Sequence, residues 1–329
     1  MRRALFSLVI PTHNKSKDLK GSVDFILSQA FKDYEILILD NNSKDKTEEV
    51  VKSYRDERIK YHRNKRNIGW IKNVEKGVNL AKGEYIILQG DDDYLISEKC
   101  LENLSRILRR KEYGFIRLNY LSRKNDTIFD FRFNKSFMKD MILKPNQNND
   151  EVFNFIQKTD PYFMTGICFR NSFNKKINFI DSELAPWLNI IFYSAQKYGG
   201  YYSSRYSFVA KWVSKPIHPF YILVNNKFTF EKYLENVSQL ISENEFYNFK
   251  KKLFNQVISL FPLAKVSLGN ASLVKCANRI LSLHYPYKFS LYFWLNFIFS
   301  FLTPKFVIQK LKEYYLTRII STYAIKKAT

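Results

Sequence analysis

Two hydrophobic periods alternate along the first 120 residues. Phe6-Ser-Leu-Val-Ile10 is a short apolar run stopped by Pro11, the pattern of a buried strand. Leu19, Val23, Ile26, Leu27 and Ala30 then recur at helical spacing. Tyr34 to Leu39 predicts a second strand ending at Asp40. Asn41-Asn42-Ser43 follow as a turn and cap for a helix through Glu48, Val50 and Val51. Arg58 to His62 is a weak third strand. Ile71, Val74, Val78 and Ala81 predict a helix closed by Gly83. Glu84 to Leu88 predicts a fourth strand, ending at Gly90-Asp91-Asp92-Asp93. Ser97 should cap a helix running to about Lys111, and Phe115 to Leu121 should form another strand.

Strand–helix alternation at this pitch implies right-handed crossovers and a mainly parallel, twisted sheet flanked by helices, an α/β fold. Ligands of such sheets bind beyond the carboxyl ends of the strands. Three of those ends are polar: Pro11-Thr12-His13-Asn14, Asp40-Asn41-Asn42-Ser43 and Gly90 to Asp93. The middle of the chain is less regular. A strand is expected over 127–133, a short helix over 151–157, a strand over 166–170 and a helix over 187–197. Beyond residue 230 the pattern is helical, and no internal repeat is present.

Composition sharpens this picture at the carboxyl-terminal end. The 329 residues hold 53 Lys and Arg against 31 Asp and Glu, a net charge of +22. From Phe246 onward there are thirteen basic residues and one acid, Glu313, a net of +12, together with eighteen aromatics. A compositional boundary therefore falls near residue 245. A cation of this size seeks polyanions: nucleic acid, an anionic membrane surface or a phosphorylated substrate. With 46% hydrophobic residues, disorder is excluded. Cys100, Cys168 and Cys276 are scattered and odd in number, which argues against a disulfide framework or a zinc site and for a reducing compartment. The apolar stretch Ala4 to Ile10 behind Arg2 and Arg3 is at the short end for a signal peptide and runs into Pro11-Thr12-His13-Asn14 with no small-residue cleavage site, so it reads as a first strand and the protein is expected to face the cytoplasm.

Residue by residue, the rim admits two interpretations. Asp91, Asp92 and Asp93 could gather a hard divalent ion, Mn2+ or Mg2+, or could form a solvated acidic turn. Asp40 could accept a hydrogen bond from a base N–H, or hold its own turn. Thr12 and Asn14 could touch a nucleoside or cap the helix after Lys17. His13, His62, His218 and His284 are isolated, with His218 the one further candidate ligand.

Taken together, Phe6 to Asn14, Tyr34 to Ser43, Asn67-Ile-Gly69 with Asn73, and Ala81 to Leu88 with the aspartate triplet resemble the nucleotide-sugar domain of family 2 glycosyltransferases. The resemblance is strong over about residues 5–120 and fades through residue 200. It implies a GT-A fold and inverting transfer of a sugar from a nucleotide-diphosphate donor. By resemblance, Pro11, Thr12, Asn14 and Asp40 line the nucleoside pocket, with Lys72 and Asn73 near the base or donor. Asp91 and Asp92 hold ribose and metal. Gly90 falls where the family's Asp-x-Asp motif has its first aspartate, a departure that leaves open which aspartate touches metal; Asp92 is favoured, with Asp91 and Asp93 beside it. The family also places an acidic base just before an apolar helix. Asp181 and Glu183 both precede Trp187, and alignment of that Trp favours Glu183. Either acid could equally serve the helix dipole.

The chain is accordingly divided into a catalytic domain over 1–225 and a basic, aromatic helical region over 226–329. Within the catalytic domain, 1–120 binds the nucleotide sugar and 121–225 forms the acceptor side. The run Phe289 to Leu302, about 21 Å long as a helix, is too short to span a bilayer. It should either pack on the domain or lie at an anionic inner-membrane surface, with Lys288, Lys305, Lys310 and Lys312 near headgroups. The expected donor is a UDP-sugar, and the acceptor a glycan or lipid-linked glycan of a bacterial capsule, O-antigen or other surface polysaccharide. A non-catalytic nucleotide-sugar-binding or membrane scaffold is the alternative. A nucleic-acid partner is not expected, because no nucleic-acid motif is present and the charge lies away from the sheet. A homo-oligomer is compatible with the sequence.

Overall fold

The computed structural model describes residues 3–124, 127–130, 138–172, 179–211 and 227–323. The chain divides into two compact units, 1–180 with 185–212, and 181–184 with 213–329. The division expected at 225/226, His218 and the end of the 127–133 strand lie outside the described residues.

The first unit is built on a ten-stranded sheet. Its strands are β1 (Phe6–Thr12), β2 (Tyr34–Asp40), β3 (Ile59–Arg63), β4 (Tyr85–Leu88), β5 (Tyr94–Leu95), β6 (Phe115–Lys124), β7 (Thr127–Phe129), β8 (Met141–Leu143), β9 (Ile167–Arg170) and β10 (Gly200–Lys211). The order is β3-β2-β1-β4-β9-β6-β10-β5, with β7 on β6 and β8 on β10. Pairing is parallel across β3, β2, β1 and β4 and again between β6 and β10. It turns antiparallel where β9 enters between β4 and β6. The helices are α1 (Ser16–Leu27), α2 (Thr47–Lys52), α3 (Trp70–Leu80), α4 (Cys100–Arg110), α5 (Asn149–Lys158) and α6 (Leu188–Tyr198).

Alternation along the strands divides the core between the two faces. Phe6, Leu8, Ile10, Ile36 and Ile38 pack with Leu19, Val23 and Ile26 of α1 and Leu101, Leu104 and Leu108 of α4. The opposite face receives α3, laid so closely that a Cβ on Gly77 would stand 2.5 Å from Val9 and 2.7 Å from Leu39. The tightest approach is at Gly114, ahead of β6, where a Cβ would lie 1.7 Å from the Ser194 carbonyl of α6. Gly114→Ala is expected to destabilise by about 3 kcal/mol, lowering the melting temperature by several degrees. Gly21→Ala, on open helix surface, should be neutral or slightly stabilising, and paired melting curves check both.

Several local expectations shift. The helix expected after Ser97 begins at Cys100 with Lys99 at its cap and no side-chain bond, and Ser97 hydrogen-bonds the chain just before it. Gly83 does not close α3, whose C-cap is the extended Ala81. The N-cap of α2 is Lys46, without a side-chain bond, and not Ser43; Asp45 just before it accepts from the backbone and hydroxyl of Thr47. β10, whose apolar residues are interrupted in sequence, was not expected, yet among the described residues it is the longest strand.

The second unit is helical: α7 (Lys227–Leu240), α8 (Glu243–Ser259), α9 (Phe261–Leu283), a 3-10 turn (Tyr285–Phe289), α10 (Leu291–Leu302) and α11 (Lys305–Tyr323). Ser242 caps α8 by accepting from Glu245. Pro262 starts α9, and Gly269, at φ 81°, breaks its course. The three cysteines are buried and unpaired. Among the described residues, no single helix is long and apolar enough to cross a membrane.

Candidate active site

The polar rim forms at the carboxyl ends of β1, β2, β3 and β4. Their loops demand backbone shapes that the sequence supplies: Asn14 and Asn42 adopt φ 55° and 65°, a region asparagine tolerates better than most residues. Asn14 then braces two loops. Its N–H donates to Ser43 Oγ at 2.9 Å, and its Oδ1 accepts from the Lys44 N–H at 2.7 Å.

Beside it, Thr12 is buried at the end of β1 and donates to Asp91 Oδ2 at 2.7 Å. Asp91 and Asp92 converge on one cation, the Lys15 ammonium, 3.6 Å from Asp91 Oδ1 and 2.5 Å from Asp92 Oδ2. Burial raises the Asp91 carboxyl above the ordinary carboxylate range, against the opposing pull of Thr12 and Lys15. Burial also works against the Lys15 charge, but its bond to Asp92 and the charge on Asp91 outweigh this and leave its pKa raised.

Asp93 has a different place from its neighbours. It is 4% exposed, accepts from the Thr165 hydroxyl, and takes the Lys211 N–H at 2.9 Å. Burial, and then the charge of Asp92, push its carboxyl up to about 7. Both of its oxygens are thus committed inside the protein, tying the β4 loop to the end of β10.

Asp40 is internal as well. It is fully buried, accepting from the Ser43 N–H at 2.8 Å and the Tyr61 hydroxyl at 2.6 Å. Arg63 Nε stands 3.7 Å away. Through the Ser43 N–H it shapes the 41–43 turn at the end of β2. Asn73 is likewise internal, donating to the Leu39 carbonyl at 2.7 Å and accepting from Asn64 at 2.8 Å. Pro11 is half-buried beside Thr12, and Lys72 is exposed on the first turn of α3.

An asparagine network completes the rim. Asn41 donates to Asn67 at 2.8 Å and accepts from Asn64 and from the Ile68 N–H. Sequence reasoning gave Asn41 only a place in the 41–43 turn and assigned no role to Lys15 or Asn64. Applying the strand-end rule to weak β3 would have reached Asn64, and the first cation after β1 is Lys15.

The model of the family "Glycosyl transferase family 2" matches residues 7–175, a span that includes every element of this rim. The chain belongs to this family. Among curated relatives of this glycosyltransferase, the GalNAc(5)-diNAcBac-PP-undecaprenol beta-1,3-glucosyltransferase of Campylobacter jejuni subsp. jejuni serotype O:2 is 27% identical over 290 residues, covering 84% of this chain and 88% of the relative. The amylovoran biosynthesis glycosyltransferase AmsB of Erwinia amylovora is 32% identical over 162 residues, covering 47% of this chain and 52% of AmsB. Among solved structures, S. aureus TarS 1-349 in complex with UDP-GlcNAc matches with a TM-score of 0.53 at 14% identity, covering 86% of this chain and 91% of that one. At that identity the likeness is one of fold, the GT-A type that the motifs implied.

The donor chemistry of the glycosyltransferase rim fits a hard divalent ion. Two carboxylates already share one cation position, and among the described residues no third His, Cys, Asp or Glu joins them. Such a pair suits an ion that takes its remaining ligands from water and a diphosphate. The two candidate bases lie in the second unit, in the segment 181–184 that precedes α6. Asp181 is 70% exposed in its side chain and stands 3.9 Å from Lys232. Glu183 is half-buried.

Proposed function

We propose that this glycosyltransferase moves a sugar from a nucleoside-diphosphate donor, with UDP the favoured nucleotide, to a hydroxyl of a lipid-linked glycan, inverting the anomeric centre. The observation that carries the donor half is the convergence of Asp91 and Asp92 on one cation position beside Thr12. Support for the acceptor half comes from the Campylobacter jejuni relative, whose name specifies an undecaprenol-diphosphate glycan and which aligns over 84% of this chain. A surface polysaccharide such as capsule or O-antigen is the product class, and the working location is peripheral, at the inner face of the cell membrane.

Asp91 and Asp92 would hold Mn2+ or Mg2+, which would neutralise charge growing on the leaving diphosphate. Thr12 fixes the Asp91 carboxylate by its hydrogen bond. Lys15 keeps a positive charge on the phosphate side of the rim. Asn14 and Asn41 hold the loops that shape the nucleoside pocket, with Pro11 on its wall and Lys72 at its mouth. Glu183 takes the proton from the acceptor hydroxyl as that oxygen bonds the anomeric carbon. The bond from that carbon to the donor phosphate breaks on the opposite face, and its electron pair leaves with the diphosphate.

A thermal-shift panel of UDP-, GDP-, CMP- and dTDP-sugars, each with and without Mn2+, tests the donor half. A ligand at 100 times its Kd stabilises the folded chain by about 2.7 kcal/mol. The expected result is a shift for UDP-sugars that Mn2+ enlarges; no shift with any donor sinks the reading. Donor binding with neither hydrolysis nor transfer to a polyprenyl-diphosphate glycan would favour the non-catalytic scaffold.

A further inference from the structure

Helix α10 packs one face on α9 and leaves a stripe of apolar side chains on its other face. Phe293 and Ser300 are fully buried, and the Phe293 and Phe297 rings both meet Phe261 of α9 edge-on, at 5.8 and 6.3 Å. On the opposite side, Leu291, Leu295, Ile298, Phe299 and Leu302 fall on one stripe at helical spacing and are 72, 59, 47, 51 and 70% exposed. After a bend of 108°, Phe306 and Leu311 of α11 extend the exposed apolar surface. An exposed apolar stripe of this kind on a folded protein marks an interaction surface.

The ends of this helix are closed by protein groups. At its start, Ser290 Oγ accepts from the Phe293 N–H, and Trp294 Nε1 donates to the Lys288 carbonyl at 2.8 Å. At its finish, the buried Lys265 of α9 donates to the carbonyls of Phe301 and Thr303, both at 2.6 Å. The polar side chains within it, Asn296 and Ser300, bond to carbonyls of the same helix. A helix on a wet surface can leave such groups to water. One entering hydrocarbon must satisfy them internally.

Charge selects the occupant. Lys288, Lys305 and Lys310 are exposed around the stripe. Lys251 and Lys252 line a shallow cleft of about 410 Å³ with Tyr292, at the edge of the same face. Two copies meeting here would press together tails of +12 each with one acid apiece, whereas anionic headgroups are attracted. We propose that the Leu291–Leu302 stripe, continued by Phe306, lies in the acyl edge of a bilayer bearing anionic headgroups. Lys288, Lys305 and Lys310 sit at headgroup level, and Tyr292 and Trp294 at the boundary. The proposal rests on the lipid-linked acceptor inferred above and specifies the face that brings the enzyme to it.

Flotation of the full chain with phosphatidylcholine vesicles, with and without phosphatidylglycerol, tests this. The wild type should float with anionic vesicles and retain a salt-resistant fraction. Leu295→Glu with Phe299→Glu should weaken vesicle binding at least roughly tenfold and abolish that fraction. Lys305→Gln with Lys310→Gln should lower the salt at which binding is half lost and spare the fraction. Melting temperature and the UDP-sugar thermal shift should stay at wild-type values in both variants. Failure of the wild type to float, unchanged flotation of the Glu variant, or a fall in its melting temperature would overturn the proposal. So would a wild-type dimer that the Glu variant dissociates, because a second copy would then cover the stripe. If donor binding fails while the flotation results hold, the enzymatic reading falls and the lipid-facing stripe stands.

Discussion

Asp92→Ala is expected to lower transfer by about 10²–10³-fold or more while the chain still folds, because it removes a carboxylate from the point where charge develops. Mn2+-dependent nucleotide binding should disappear with it. Asp93→Ala should do the reverse. Its carboxylate serves the Thr165 hydroxyl and the Lys211 N–H inside the sheet, so its loss leaves a buried donor unpaired and costs about 1–3 kcal/mol of stability. Calorimetry and nucleotide titration on both variants separate the roles; normal turnover by Asp92→Ala would remove the cation site from the mechanism. Asp93 adds a pH signature. Its carboxyl is raised to about 7 in the folded chain, so the neutral form stabilises the fold. That contribution is complete below the unfolded carboxylate range near pH 4 and is lost as pH rises through about 7. Asp93→Asn, neutral throughout, should flatten this decline in stability between pH 5 and 8.

Glu183→Gln is expected to keep donor binding and lose transfer by about 10²–10⁴-fold, the usual worth of a general base. An amide of the same shape cannot accept the acceptor proton. Asp181→Asn should be far milder, since that side chain is 70% exposed and paired with Lys232 at 3.9 Å. Single-turnover transfer measured beside donor affinity distinguishes loss of chemistry from loss of binding. Full activity in Glu183→Gln with a dead Asp181→Asn would reverse the assignment.

Where the sequence was most regular, it foretold the structure well. β1, β2 and β4 are buried runs of Val, Ile and Leu, and such runs announce a parallel sheet covered on both faces. The rim followed from the polar residues at their ends. Adjacency, however, is a poor guide to direction. In the Asp91–Asp93 triplet, the middle carboxylate meets Lys15 and the last one the end of β10, a distinction no linear pattern carries. Asp40 was read from its place at a strand end, and its bond from Tyr61 depends on β3 lying alongside. β10 was invisible because Ser203, Ser204, Arg205 and Ser207 interrupt its apolar residues, and its register shifts twice between Ser203 and Phe208. Its identity as a strand comes from pairing with β6, not from its own composition.

That pairing sets the order in which a ribosome can finish the molecule. The first 120 residues contain the polar strand ends but not the means to hold them. β9 must enter between β4 and β6, and β10 must dock on β6 before β5 has a neighbour. Asp93 receives its backbone partner only when Lys211 has emerged. A nascent chain stopped at 120 therefore carries a buried-type carboxylate with no partner and two sheet edges open to wrong pairing. The first 120 residues thus complete their sheet through contacts about a hundred residues away in sequence, the kind of long-range pairing that slows folding and lengthens the time its edges stay open.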